Sequence, residues 1–157
     1  MRTIHWLYLV TVVLFVASVA LFVAGASSSA RIAREATEVA TVKQIMDGIV
    51  MPSAQIVFDA VAIITTVEGT EERQPRTETE WARVGASAAA LIEAGNLLLM
   101  GNRVRDNDEW IVRTRAMMDA ASVALKATEA RDVEGLFASG ESINVSCDSC
   151  HAKYLEP

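Results

Sequence analysis

The chain has 157 residues, 52% of them hydrophobic, and 14 Lys and Arg against 20 Asp and Glu give a formal net charge of −6. The length suggests one folded domain. The acidic balance argues against nucleic acid and anionic lipid head groups as partners, and leaves open either a basic protein partner or simple solubility. Aromatic residues are few, alanine is abundant, and there is almost no alternation of apolar and polar residues. This reads as an all-α protein.

Residues 1–26 read as an export signal. Arg2 supplies the positive start, residues 6–23 are an uncharged apolar run, and Ala24-Gly25-Ala26 resembles a cleavage site followed by Ser27-Ser28-Ser29. The run is also long enough to span a bilayer, so an uncleaved membrane anchor is the alternative. Either way Arg2 holds the cytoplasmic side and the rest of the chain lies outside. Removing residues 1–26 takes away only Arg2 among the charged residues, so the net charge of −6 would become −7.

From about residue 35 to 67, the apolar positions Val42, Met46, Ile49, Ile56, Ala60 and Ile64, with Ser53 between Ile49 and Ile56, keep a spacing of three or four. That is one helical stripe. Pro52 interrupts it, removing one amide donor and crowding the carbonyl of Gly48, which predicts a kink or two helices end to end. Residues 68–75, with Gly69 and Pro75, read as a polar loop.

Thr77 and Glu80 fit a capping box before a second stripe of Trp81, Val84, Ala88, Leu91, Gly95 and Leu98, with Gly101-Asn102 as a stop. Asp106 or Asn107 caps a third helix, whose stripe is Trp110, Thr114, Met117, Ala121, Ala124 and Thr128. Its small residues permit close helix approach. Asp132 caps a fourth, with Val133, Leu136, Gly140, Ile143, Cys147, Cys150 and Tyr154 on one face. Phe58 and Phe137 are expected in the core. Four amphipathic helices with short connections predict an antiparallel up-down-up-down bundle. In it, the end of the fourth helix lies beside the start of the first, the end of the second and the start of the third.

The last helix carries Cys147-Asp148-Ser149-Cys150-His151, which is C-x-x-C-H, the attachment signature of a c-type haem. Residues three apart share a helix face, so both thiols can bond one porphyrin by thioethers. His151 then offers a ring nitrogen to the iron. A structural zinc site usually takes four Cys or His ligands. The chain has two of each, and His5 lies in the N-terminal apolar stretch. A thioredoxin-like dithiol would want a βαβ context, and no strand pattern surrounds the motif.

With the motif six residues from the C-terminus of a helical chain, the sequence resembles the class II c-type cytochromes, the cytochrome c-prime family. The resemblance covers the whole chain after the signal. It extends to Lys43-Gln44-Ile45-Met46, similar to the family's basic residue three before a Met or Leu on the distal haem face, and to Cys150-His151-Ala152-Lys153-Tyr154, with an aromatic three after the histidine. The resemblance implies one covalent haem c, attachment outside the cytoplasmic membrane, hence a periplasmic location, and redox proteins as partners. It also implies a homodimer, with no face assigned here. Pro52 departs from the family's straight first helix.

Five methionines beyond the signal, Met46, Met51, Met100, Met117 and Met118, could reach the iron's second face, although most helical methionines are core filler. Met46 is the expected distal ligand, on the stripe at the motif's end of the bundle and matching the family position. An open or water-bound iron is next. Met51, about 140° around the helix from Met46, should miss unless the kink turns it inward. Lys43 can meet a haem propionate or stay solvated. Nothing in the chain reads as catalytic. The leading expectation is electron transfer by a single haem with His151 and Met46 as axial ligands. The alternative is a five-coordinate haem protein that binds nitric oxide or carbon monoxide.

Overall fold

The computed structural model describes residues 2–34, 38–106 and 108–155. It is mostly helical, with one small two-stranded sheet. The chain divides into two compact units, Met1–Thr37 and Glu38–Pro157.

The first unit is a single helix, α1 (Arg2–Arg34). Its stretch His5–Phe22 has a mean hydropathy of 2.1 and is long and apolar enough to cross a membrane by length and composition. Two hydroxyls of this stretch fold back on the helix: Thr11 donates to the Leu7 carbonyl at 2.7 Å and Ser18 to the Leu14 carbonyl at 2.8 Å. Such bonds satisfy a hydroxyl without water. The helix runs on through Ala24-Gly25-Ala26.

The second unit begins with α2 (Val42–Ile45), a π-helical turn (Met46–Val50) and α3 (Met51–Phe58), continuous in sequence. Thr41 starts it with a capping box: its hydroxyl accepts from the Gln44 amide, and the Gln44 side chain accepts from the Thr41 amide. The π turn answers the proline. Pro52 has no amide proton, and just before it the Met51 amide reaches back five residues to the Met46 carbonyl. One extra residue per turn displaces the seam. The buried apolar positions are Ile45, Val50, Ala54 and Val57, the first two five positions apart. The predicted stripe of Val42, Met46, Ile49 and Ile56 is therefore half-buried along the edge of the core rather than at its centre.

The predicted helix does not continue to residue 67. It ends at Phe58, and β1 (Ala62–Thr66) pairs antiparallel with β2 (Gly69–Arg73), Thr66 opposite Gly69 and Ala62 opposite Arg73. The reason is local. Ile63, Ile64, Thr65, Thr66 and Val67 form a β-branched run, which disfavours helix and suits a strand. Val67-Glu68 is a two-residue connection, and Gly69 follows at φ 146°, a region open to glycine. The stretch expected as a polar loop is thus largely the second strand.

The remaining helices are α4 (Glu78–Leu98), α5 (Glu109–Ala130) and α6 (Val133–Tyr154), with a 3₁₀ turn (Gly101–Arg103) between α4 and α5. The Thr77 and Glu80 capping box and the Asp132 cap are both present. Asp106 accepts from the amides of Trp110, at 2.9 Å, and Asp108; Asn107, the other expected cap, lies outside the described residues. Every predicted core residue of α4 and α5 is buried. Helix α4 packs on α5, α5 on α6, and α3 on both α4 and α6. Small residues allow this. A Cβ at Gly85 would lie 2.9 Å from Thr128 Oγ1, and one at Gly95 would fall 2.3 Å from Met118 Cγ. On α6, Leu136 and Ile143 are fully buried. Phe137 is not in the core as expected: it is 57% exposed. It lies one residue, about 100° of helix, beyond Leu136, which takes the inward position. With Phe58 and Gly140 it borders a shallow apolar groove between α3 and α6.

One end of this unit gathers four segments. The Glu38 carboxylate accepts from the Asn102 amide at 2.6 Å. Buried Arg103 donates through Nε to the Ala40 carbonyl at 2.9 Å and through a terminal nitrogen to the Leu97 carbonyl at 3.2 Å. Trp110 Nε1 donates to the Leu98 carbonyl at 3.0 Å, and Trp110 packs against Tyr154. The approach to α2, the end of α4, the start of α5 and the end of α6 therefore meet.

Candidate functional site

The C-x-x-C-H motif occupies the last two turns of α6. Cys147 and Cys150 are both half-buried and both free of any disulfide. They stand one helical turn apart, so their sulfurs share a side of the helix. Cys147 packs against the core, and the Ser146 beside it is buried with its hydroxyl on the Ile143 carbonyl at 2.6 Å. Burial pushes both thiols above the ordinary cysteine value; at Cys150 the Arg113 charge opposes this. His151, half-buried, follows directly.

A polar latch ties this turn to the start of α5. One terminal nitrogen of Arg113 donates to the Ser149 carbonyl at 2.5 Å and also to the Ser149 hydroxyl. Its Nε and other terminal nitrogen bond the Glu109 carboxylate at 3.2 and 3.0 Å. Lys153 Nζ lies 3.0 Å from the same carboxylate and 3.9 Å from Asp106. The Tyr154 hydroxyl donates to Asp106 Oδ2. Bonds from Lys153 and then Arg113 hold Glu109 below the ordinary carboxylate range. The Trp110 amide and then the Tyr154 hydroxyl do the same for Asp106. Both carboxylates are therefore ionised at neutral pH, and the four charges Arg113, Lys153, Glu109 and Asp106 balance.

On the opposite flank the cover thins. In the first half of α6, α3 comes within ordinary contact distance: a Cβ at Gly140 would lie 3.7 Å from Phe58 Cδ1. Towards the motif, α2 and the π turn pack chiefly on α4. Cys147, Cys150 and His151 are each half-buried, so their face of α6 is partly open. Two unpaired thiols on one partly open face, with an imidazole next to them, suit the covalent attachment of one flat macrocycle. Among the described residues, no three His, Cys, Asp or Glu side chains group as ligands for a bare ion.

The other expected site residues lie on the first helical segment. Met46 opens the π turn, half-buried and packed against the core. Lys43 is exposed, its ammonium bonded to Asp47 one turn on. Met51 is 58% exposed, so the kink does not turn it inward. Met100 is half-buried just after α4, while Met117 and Met118 meet Gly95 in the middle of the α4 and α5 seam. Sequence reasoning missed Arg113, Glu109 and Arg103. Glu109 and Arg113 form an i,i+4 pair on α5, a local signal that spacing offers; their contacts to Lys153 and Ser149, like those of Arg103, join separate segments and leave no local pattern. Tyr154 and Asp106 were legible separately, as a stripe residue and a cap, but not as a pair.

Compared with family models, curated proteins and solved structures, the chain matches none.

Proposed function

We propose that this protein is an exported electron carrier with one covalently attached haem. Cys147 and Cys150 form the two thioethers, and His151 is the iron's proximal ligand. The observation that carries this reading is the pair of unpaired thiols one turn apart on a partly open face of α6, with His151 beside them. The haem supplies a one-electron couple, whose potential depends on ligand type, burial and nearby hydrogen bonds. The chain's own part is to hold the attachment turn rigidly. The Asp132 cap starts α6, Leu136 and Ile143 anchor it in the core, and the Arg113 and Tyr154 contacts fix its last turns.

The reading takes the second unit as a four-helix bundle, with α2, the π turn and α3 forming its first leg and α4, α5 and α6 the others. It takes α1 as signal or anchor, the protein as periplasmic, and redox proteins as its partners. Met46 is the proposed distal ligand and Lys43 a propionate contact. A second reading is favoured by one observation: the Met46 side chain already packs against the core. If it serves as distal packing, the iron is five-coordinate and binds nitric oxide or carbon monoxide instead.

Protein made in a host that matures c-type cytochromes tests the first claim. Acid-acetone extraction should leave the Soret absorbance with the polypeptide, and a peptide containing Cys147 and Cys150 should carry the mass of haem. Free extraction of the colour would sink the proposal. The ferric spectrum then separates the readings: low-spin with a methionine-to-iron band for electron transfer, high-spin with rapid carbon monoxide uptake for gas binding.

A further inference from the structure

We infer that Arg113 is a positioning and tuning residue for the haem attachment turn, fixing one positive charge against it and so raising the reduction potential. This rests on the haem reading above. Arg113 lies on α5, one turn after Trp110, and its guanidinium crosses to α6. There it donates to the backbone carbonyl and the hydroxyl of Ser149, one of the two residues between the thiols' positions and next to Cys150. Its other nitrogens are held by Glu109. The side chain is only 27% exposed, so the charge is partly shielded from solvent. A guanidinium bonded on two edges has one orientation, unlike an ammonium on a free stem.

The charge count decides the sign. Arg113 and Lys153 balance Glu109 and Asp106 within one connected network. Removing Arg113 leaves a net negative charge beside the motif, which favours the more positive ferric state and lowers the potential. Removing the Glu109 charge leaves a net positive one and raises it. Opposite shifts from two members of one network do not follow from local loosening of the fold.

The experiment measures midpoint potential by spectroelectrochemistry on the full haem-loaded protein and on Arg113→Gln, Arg113→Lys, Glu109→Gln and, as a control, Arg115→Gln on the exposed side of α5. Arg113→Gln should still carry covalent haem, with the ferric-to-ferrous ratio at fixed potential raised about tenfold, a shift of about 59 mV for one electron. Arg113→Lys should keep most of the original potential, Glu109→Gln should move it upward, and Arg115→Gln should leave it in place. An unshifted Arg113→Gln, or an Arg115→Gln shift of equal size, overturns the inference while haem attachment stands. Should Arg113→Gln not accumulate, Glu109→Gln decides alone: a downward or absent shift overturns the inference. Absence of covalent haem from the unmodified protein instead removes the reading on which it rests, and the inference with it.

Discussion

Trp110 and Tyr154 meet edge to face, ring centroids 5.0 Å apart and planes at 81°, so the residue three after His151 closes the end of α6 onto the start of α5. Both polar tips are used: the indole nitrogen donates to the Leu98 carbonyl and the phenol to Asp106. Tyr154→Phe keeps the ring pair and loses the bond to the carboxylate, which should lower stability slightly. Tyr154→Ala should cost about 1 kcal/mol more by removing the ring contact. Urea unfolding of the two variants checks the order; equal losses would mean that the ring pair contributes nothing.

The ligand assignments give a second test. His151→Ala should abolish normal haem assembly or leave an iron without its nitrogen donor, visible as a changed ferric spectrum. Met46→Ala should convert low-spin ferric iron to high-spin, lower the potential and admit carbon monoxide. It should also cost about 2 kcal/mol, the low end for a lost buried methionine because the side chain is half-buried. Stability alone therefore proves nothing, and spin state is the readout. Met100→Ala is the control. A switch there, with Met46→Ala still low-spin, would give the ligand role to Met100.

The latch also predicts a pH dependence. The Glu109 carboxyl is held below its ordinary value of 4.5, and Asp106 below 3.8. A carboxylate with a depressed folded pKa stabilises the fold above its unfolded value, and that stability is lost as pH falls through the folded one. The unmodified protein should therefore be more stable than Glu109→Gln near neutral pH, with the gap closing as pH drops below 4.5. Thermal unfolding of the pair across that range measures it. A gap that stays constant would mean that the Glu109 charge does not support the latch.

Two glycines should respond in opposite ways to alanine. Nothing lies within 4 Å of a Cβ placed at Gly48, so Gly48→Ala should stabilise the π-helical turn by about 0.5–1 kcal/mol through the unfolded chain's lost freedom. A Cβ at Gly95 would collide with Met118 at Cγ and Sδ, so Gly95→Ala should cost about 1–3 kcal/mol. Denaturant midpoints of the two variants, moving in opposite directions, are the expected result.

The sequence by itself determined the features that rest on near neighbours in the chain. Spacing of three and four marked the buried faces of α4 and α5, because a helix repeats every 3.6 residues. Side-chain caps at Thr77 and Asp132, and the Asp106 carboxylate, were visible because a cap bonds amides two to four residues on. The five letters from Cys147 to His151 placed the candidate site, since their chemistry needs only one turn of helix.

What the sequence misjudged turned on competition or register. Ala62–Thr66 carried no alternation, yet its β-branched run and the two-residue connection before Gly69 outweighed the apparent helical stripe. Ile45 and Val50 are the buried pair because the π turn beside Pro52 adds a residue, a shift that a fixed period hides. Only the tertiary structure decided how the motif is held. Arg113 and Ser149 are 36 positions apart, and Asp106 and Tyr154 are 48 apart. Such pairs leave no local signal, because their geometry exists only once α5 and α6 have packed against each other.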